Sequence, residues 1–206
     1  GKSELARTIF GIDRIVSGQI LKDGKPYHPS PDYSVKNGIA LVPEERQLQG
    51  LIPNFPVSCN ITLTYMNRWA NHNVINHTNE VESAQTYIDK LEIKTQGHQQ
   101  LIKYLSGGNQ QKAILSRWLI GDFEIGLFDE PTKGIDIKAK EDIYRLMNDL
   151  AENEKAVVMA SSYLPELLVN CDRIVVLREG RVVGEFANNG QNTEEKITKV
   201  MLGGTY

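Results

Sequence analysis

The feature that most constrains the fold is a set of four short apolar runs separated by segments with helical spacing. Each run is partly β-branched and bounded by turn residues or charges, which is typical of fully buried strands. The runs are 39–42, 125–128, 156–160 and 174–177. Strands that alternate with helices form parallel sheets whose faces the helices cover. We therefore predict an α/β fold with a mostly parallel sheet.

Turn residues predict two short antiparallel hairpins beside this sheet. Asp23-Gly24 lies between two extended segments, and Asp-Gly is the strongest short-range signal for a two-residue turn. A second hairpin is predicted to turn at Glu179-Gly180. Apolar residues near the N-terminus follow helical spacing and stop before Gly11, which predicts a short helix with a glycine stop. A terminal helix is predicted from Thr193, which has a capping-type start.

The composition changes to Asn, His, Gln and Thr between residues 51 and 104, and no strand-like apolar run appears there. A helix start is predicted at Asn79, with Glu82 three residues later. The apolar positions that then share one helical face are Val81, Ala84, Ile88 and Leu91. We predict a helical subdomain, 51–104, inserted into a core formed by 1–50 and 105–206.

Composition and charge exclude several classes of protein. The 23 Lys and Arg and the 26 Asp and Glu give a net charge of −3 with mixed signs, whereas a general nucleic-acid binder is more basic. No apolar run approaches the roughly 20 residues of a membrane-spanning helix. Cys59 and Cys171 form no CxxC pair, so we expect neither a disulfide framework nor a zinc site, and a reducing compartment. His72 and His77 lie five apart, off one helical face, and are expected in solvated loops.

The tripeptide Gly1-Lys2-Ser3 stands directly before the first predicted helix. It matches the end of the phosphate loop GxxxxGK followed by Ser or Thr. In that loop backbone N–H groups surround the phosphates, Lys reaches the β and γ phosphates, and the hydroxyl binds magnesium. A cloning remnant is an equally good source of this tripeptide taken alone.

The apolar run 125–128 ends in two carboxylates, Asp129 and Glu130. This is the Walker B arrangement, in which the first acid orients the magnesium shell and the second polarises the attacking water. The carboxyl end of a parallel strand lies at the same edge of the sheet as a phosphate loop. Acidic residues at a strand end are also a common structural cap. The acidic pair therefore indicates a nucleotide site mainly in combination with the phosphate-loop tripeptide.

The stretch LSGGNQQK, residues 105–112, is predicted to be an anion-binding device. Gly107 and Gly108 let the backbone approach another group closely, Ser106 offers a hydroxyl, and the following helix directs its positive end outward. An ordinary turn and helix start is the alternative, which the position shortly before Asp129-Glu130 disfavours.

In this order the motifs resemble the nucleotide-binding domain of ABC transporters, over nearly all 206 residues. More narrowly, four stretches are similar to the C-terminal ATPase domain of bacterial ribose, galactose, arabinose and xylose importers, in which one polypeptide carries two such domains. These stretches are 42–46, 106–112, 129–136 and 161–167. The resemblance implies a P-loop NTPase fold with ATP and Mg²⁺ as cofactors. It also implies an N-terminal truncation within the Walker A motif, whose central strand would be absent and would leave unpaired sheet edges.

The resemblance implies a role for each matching residue. Gly1, Lys2 and Ser3 would hold phosphates, with Ser3 also binding magnesium. Asp129 would orient the metal, and Glu130 would be the catalytic carboxylate.

A second group would act between domains. Ser106, Gly107 and Gly108, together with Asn109 and Gln110, would contact the γ-phosphate of ATP bound by a partner domain. Asp136 would lie in the D-loop, which crosses to that partner. Each ATP site would therefore be composite.

Two positions depart from the family's pattern. Glu44 stands where the Q-loop glutamine is usual, and Ser162 stands where the switch histidine is usual. Glutamate adds negative charge beside a triphosphate, and serine lacks the reach of imidazole. Two interpretations stay open: an ATPase that powers import of a monosaccharide, or a catalytically degenerate domain that completes its partner's site. Ser162 is alternatively a simple cap of the next helix.

The resemblance also implies partners. These are a second ABC ATPase domain, upstream in the same polypeptide or as a dimer, a transmembrane sugar permease and, indirectly, an extracytoplasmic sugar-binding protein. It places the domain at the cytoplasmic face of the bacterial plasma membrane, as a peripheral protein. An ABC ATPase of DNA repair or translation is disfavoured, because 51–104 is short and has neither coiled-coil heptads nor a basic stretch, and no nucleic-acid partner is expected.

Overall fold

The structure, a computed structural model, describes residues 1–71, 74–189 and 193–204. The helices are α1 (Lys2–Phe10), α2 (Pro31–Lys36), α3 (Val57–Thr62), α4 (His77–Lys90), α5 (Gly107–Leu119), α6 (Ile137–Glu152), α7 (Leu164–Asn170) and α8 (Thr193–Met201). The strands are β1 (Ile20–Lys22), β2 (Lys25–Tyr27), β3 (Ile39–Val42), β4 (Ala70–Asn71), β5 (Val74–Ile75), β6 (Ile125–Asp129), β7 (Ala156–Ala160), β8 (Arg173–Arg178) and β9 (Arg181–Ala187). Within these ranges no helix is both long and apolar enough to cross a bilayer.

The predicted parallel sheet is confirmed for three of the four apolar runs. Its order is β3-β6-β7, with β6 in the middle and parallel to both neighbours. All four residues of β3 are buried, as the run of apolar residues predicts. Phe10 of α1, Trp118 of α5 and Ile143 of α6 belong to the same hydrophobic core as the sheet, so helices cover it as expected.

The fourth run differs from the prediction. It forms β8, which is paired antiparallel with β9 and with no other described strand. Its burial alternates, with Ile174 and Val176 buried but Val175 46% exposed. A hydrophobic pattern reports that a segment is partly buried but not which strand it pairs with. Glu179 and Gly180 have positive φ, 51° and 75°, and form the predicted turn.

A cleft of about 580 Å³ separates β7 from β8. Apolar side chains of α1, β7 and β8 line it, among them Leu5, Val157 and Leu177. Among the described strands β7 has a partner only on its β6 side, and Val158 is 51% exposed. The run 156–160 is therefore not fully buried, contrary to the prediction.

The predicted N-terminal elements are confirmed. Gly11 ends α1 with φ 91°, and a Cβ there would lie 2.5 Å from the backbone of Ser30. Only glycine fits this close approach. Asp23 and Gly24 have φ of 53° and 74° and join β1 to β2, as the Asp-Gly turn predicts.

The segment 51–104 is mostly helical and contains α3, a 3-10 stretch at 63–69 and α4. It also contains the two-residue strands β4 and β5, which the sequence did not predict. Helix α4 begins three residues before the expected start, because Asn76 rather than Asn79 is its N-cap and accepts from the N–H of Asn79. His77 pairs with Glu80 at 3.1 Å. His72 lies outside the described residues.

The segment shares its core with the sheet. Val57 and Ile61 are fully buried in the same hydrophobic cluster as β3 and β6. These side chains are therefore part of the main hydrophobic core, while Phe55 is 45% exposed.

Asn60 holds the loop 52–56 against α3. Its amide accepts from the N–H of Ile52 at 2.9 Å and donates to the carbonyls of Ile52, Phe55 and Pro56. Its own carbonyl accepts from Nε of Arg117 on α5 at 2.7 Å. The fully buried side chain therefore fixes the exposed loop to α3, and the backbone of α3 at residue 60 is bonded to α5.

We expect Asn60→Ala to lower the free energy of unfolding by about 2–3 kcal/mol, because buried loop groups lose their partners. Asn67→Ala, at an exposed position, is the matched control and should cost less than about 0.5 kcal/mol. Urea denaturation measures both. Equal small losses in the two variants would contradict this account of the loop.

Candidate nucleotide site

Three segments meet where α1 begins. Lys2 Nζ lies 4.0 Å from Oε1 of Glu130, which follows β6. The Ser3 hydroxyl donates to Oε2 of Glu44, which follows β3, at 3.1 Å. Gly1 is the N-cap of α1. The structure therefore brings together five of the predicted site residues at one edge of the sheet.

Asp129 is the buried carboxylate of this cluster, with 3% of the residue exposed. Burial raises the pKa of Asp129, with the negative charges of Glu44 and Glu130 adding to the effect, whereas Ser3 and Lys2 oppose it. Its Oδ1 has no hydrogen-bond partner among the described residues. Such an atom is costly unless a ligand satisfies it.

This set of oxygen donors fits Mg²⁺. Magnesium prefers carboxylate and hydroxyl oxygens and is usually held by one or two protein ligands together with substrate phosphates. Asp129 and Ser3 are the residues that would hold it. No wider cluster of His, Cys, Asp and Glu with metal-ligand geometry occurs in the described part of the chain.

Glu130 has a backbone conformation that is rare outside glycine, with φ 46°. Its N–H donates to the carbonyl of Ala160 at 2.8 Å, and its carbonyl accepts from the N–H of Lys133 at 3.1 Å. Such strain costs of order 1–3 kcal/mol and persists where surrounding bonds determine it. The side chain is 12% exposed, so it is sheltered but accessible to a water molecule.

A buried network that the sequence analysis missed lies behind Glu130 and Ser162. Glu166 of α7, 5% exposed, accepts hydrogen bonds from Thr132 at 2.6 Å and from the hydroxyls of Tyr144 and Ser161. Burial, together with the bond to Glu166, raises the pKa of Tyr144 to about 12. The network ties the loop after β6 to the loop after β7. Its only sequence signal was a glutamate within the stretch 161–167.

Ser162 is exposed in the loop after β7. The alternative that it caps the next helix does not hold, because Tyr163 is the N-cap of α7 and the hydroxyl that accepts from its N–H is that of Ser161, at 2.9 Å. Helix capping therefore does not account for the serine at position 162.

The predicted anion-binding stretch begins α5 as expected, with Ser106 as N-cap. Asn109 donates to Ser106 Oγ at 2.8 Å and accepts from the N–H of Lys94. Gln110 is 3% exposed and donates to the carbonyl of Ile102 at 3.2 Å. In this structure both amides position the turn, whereas the resemblance implies that they contact nucleotide.

Close contacts surround both glycines of the stretch. A Cβ at Gly107 would lie 2.6 Å from the Arg46 guanidinium, and one at Gly108 would lie 2.5 Å from Cβ of Ala139 in α6. Asp136 caps α6 by accepting from the N–H of Ala139 at 3.0 Å. The start of α5 and the start of α6 therefore form a second cluster, packed backbone to backbone.

Lys133 and Arg46, which the sequence analysis did not single out, connect the two clusters. Lys133 Nζ donates to Glu44 Oε1 at 2.7 Å. Arg46 donates to the carbonyls of Lys133 and Gly134 and to the side chain of Gln110. No sequence pattern indicates contacts between residues so far apart in the chain.

We expect Asp129→Asn to raise the stability of the metal-free protein at pH 7 by about 1 kcal/mol, because it removes a buried negative charge whose Oδ1 has no partner among the described residues. The native carboxyl has the higher pKa, so its ionisation costs stability, in full only above that raised pKa. The gain should fade as pH falls towards the ordinary Asp range. Thermal melts from pH 4 to 8 measure it, and the variant should also lose stabilisation by Mg²⁺-ATP. A loss of stability at pH 7 would contradict this account.

Known proteins resemble this chain along most of its length. The arabinose import ATP-binding proteins of Pectobacterium atrosepticum and Yersinia pestis are 44% and 45% identical over 98% of the chain, which is 40% and 39% of their own lengths. The ribose import ATP-binding protein of Oceanobacillus iheyensis is 40% identical over 99% of the chain and 41% of its length. The chain thus spans about two-fifths of the length of these curated relatives.

Solved structures show the same fold. A dimeric ATP-binding cassette in a post-hydrolysis state bound to ADP and Pi has a TM-score of 0.77 and 24% identity, covering 92% of this chain and 82% of that one. A nucleotide-free ATP-binding cassette from an ABC transporter has a TM-score of 0.79 and 18% identity, covering 98% and 84%. The predicted P-loop NTPase fold is therefore confirmed. The family model described as ABC transporter matches residues 1–133, well over half of the chain, and the chain belongs to that family.

Proposed function

We propose that this chain is an ATPase domain that binds ATP and Mg²⁺ and powers the import of a monosaccharide through a membrane permease. The observation that carries the proposal is the unpartnered Oδ1 of Asp129 among Lys2, Ser3 and Glu130. The names of the relatives, arabinose and ribose import ATP-binding proteins, support sugar import. We propose a peripheral position at the cytoplasmic face of the membrane, with an extracytoplasmic sugar-binding protein as an indirect partner.

The chain's own residues divide the chemistry between them. Lys2 and the first N–H groups of α1 bind phosphate oxygens, since a helix N-terminus favours anions. Ser3 and Asp129 hold Mg²⁺, which neutralises charge on the phosphates when bound. Glu130 orients the attacking water and accepts its proton. Its contact with Lys2, at 4.0 Å, keeps the two groups of opposite charge at the reacting position.

The stretch 106–108 serves a different site. Ser106 is exposed at the start of α5, and its hydroxyl is bonded to Asn109 of the same helix, away from Lys2 and Ser3. We propose that its hydroxyl and the following backbone N–H groups meet the γ-phosphate of ATP held by a second ABC domain, in the same polypeptide or in a dimer. Asp136, at the start of α6, lies beside Gly108 and belongs to that interface.

The second candidate function is a catalytically degenerate domain that completes its partner's site. The exposed hydroxyl at Ser162 favours it, because that position offers no imidazole to the γ-phosphate. The retention of Glu130 beside Lys2 favours hydrolysis. The two functions differ in which variant of this domain stops turnover.

We expect Gly107→Asp to lower ATP turnover of the assembled transporter by about 100-fold or more, because a carboxylate would face the partner's γ-phosphate in a desolvated site. Gly107→Ala is the control for the steric part, since its Cβ would meet the Arg46 guanidinium and the carbonyl of Gly134 without adding a charge. Glu130→Gln should lower turnover strongly as well when this domain's own site hydrolyses ATP, whereas a domain that only completes its partner's site should keep at least about half of the turnover. Near-total loss with Glu130→Gln would show that this domain's own site is a full catalyst. Little loss with Gly107→Asp would remove the composite site.

The exposed loop held by Asn60 is the part of 51–104 that we propose faces the permease. Phe55, 45% exposed, is its large apolar side chain, and a surface aromatic marks an interaction site more often than a charged residue does. A cysteine at position 55 should crosslink to the permease in the assembled transporter. A cysteine at Asn153, an exposed position at the end of α6, is the control. Crosslinks from position 55 only to the other ATPase domain would contradict the proposal.

A further inference from the structure

The charge of Glu44 conflicts with the proposed ligand. Glu44 Oε2 lies 3.1 Å from the hydroxyl of Ser3, the residue proposed to bind magnesium, and a carboxylate there repels a triphosphate. The other oxygen, Oε1, accepts from Lys133 Nζ at 2.7 Å. One carboxylate is thus shared between the nucleotide cluster and a lysine of another loop.

Hydrogen bonds to both its backbone and its side chain fix the position of Lys133. Arg46 donates to the carbonyl of Lys133 at 2.8 Å and to that of Gly134 at 3.4 Å, while Lys133 donates to Glu44 and, at 3.5 Å, to Glu45. The loop after β3 and the loop after β6 therefore exchange bonds in both directions. A surface lysine whose backbone is not held in this way would lose more side-chain entropy on pairing with a carboxylate.

We propose that Lys133 is a residue of the nucleotide site, where its ammonium group neutralises Glu44 and so allows a glutamate to stand beside a bound magnesium-triphosphate. This inference rests on the proposed ATP site. A glutamate is charged at neutral pH, so Glu44 needs a counter-charge beside a bound triphosphate. Because the Lys133 side chain is 54% exposed, the pair contributes little to stability, and its effect falls on ligand affinity.

If Lys133 acts by neutralising Glu44, single and double variants should differ in a way that neither a phosphate contact nor a purely structural role would produce. Removing Lys133 alone leaves one excess negative charge in the site, and removing Glu44 alone leaves one excess positive charge. Removing both restores the original balance. A lysine that touched phosphate directly would not be replaced by neutralising Glu44, and a lysine that only stabilised the fold would change the melting temperature.

The experiment titrates the assembled ATPase with Mg²⁺ and a non-hydrolysable ATP analogue and follows backbone hydrogen exchange of α1 peptides, which reports occupancy of this domain's own site. We expect Lys133→Gln to weaken apparent affinity about fivefold and Glu44→Gln to strengthen it by a similar factor. The double variant should lie within about twofold of the wild type. Lys133→Arg should retain affinity, and the loss in Lys133→Gln should shrink with added salt.

Glu45→Gln is the matched control, because Glu45 contacts the same lysine at 3.5 Å whereas the Ser3 hydroxyl donates to Glu44. It should change affinity less than twofold, and all variants should keep their melting temperatures within a few degrees. Unchanged affinity in Lys133→Gln, or a double variant as weak as Lys133→Gln, would overturn the proposal. Absence of α1 protection in the wild type at any ligand concentration would instead overturn the ATP site itself.

Discussion

The pairing of β6 with a parallel strand on each side is the constraint on which the rest of the site depends. Its register sets Phe128 opposite Val42 and Asp129 opposite Ala160. The loops that follow the three strands therefore leave the same edge of the sheet, where α1 begins. A shift by one residue would turn Asp129 to the other face of the sheet. The site is thus a consequence of strand register rather than of any loop on its own.

Two buried carboxylates, Glu166 and Asp129, differ in whether the protein satisfies their oxygens. Glu166 accepts from three hydroxyl groups, so its oxygens are satisfied and it fixes the loops around it. Asp129 is equally buried, yet Oδ1 has no partner in the described part of the chain. An unsatisfied buried acceptor costs free energy that a bound cation recovers. The first carboxylate positions the site, and the second is free to bind a ligand.

The sequence predicts local structure well here, because local chemistry determines it. Gly11 ends α1, Asp23-Gly24 makes a hairpin, and the apolar run 39–42 is fully buried. Prediction from the sequence fails where the structure depends on contacts with distant parts of the chain. The apolar run 174–177 paired with β9 instead of joining the parallel sheet, and Lys133 meets a glutamate 89 residues away. Periodicity records which face of a segment is buried, but it carries no information about the partner.

Arg46 links the two halves of the site through both charge and shape. Its guanidinium bonds the carbonyls of the loop that carries Lys133, and it also occupies the space that a side chain at position 107 would need. A side chain at 107 would therefore displace the same guanidinium that bonds the loop of Lys133. Because Glu44 also bonds Ser3, a continuous series of contacts runs from the start of α1 to the start of α5. The loop that carries Glu44, one of the two departures from the family's pattern, is therefore also the loop that joins the two clusters.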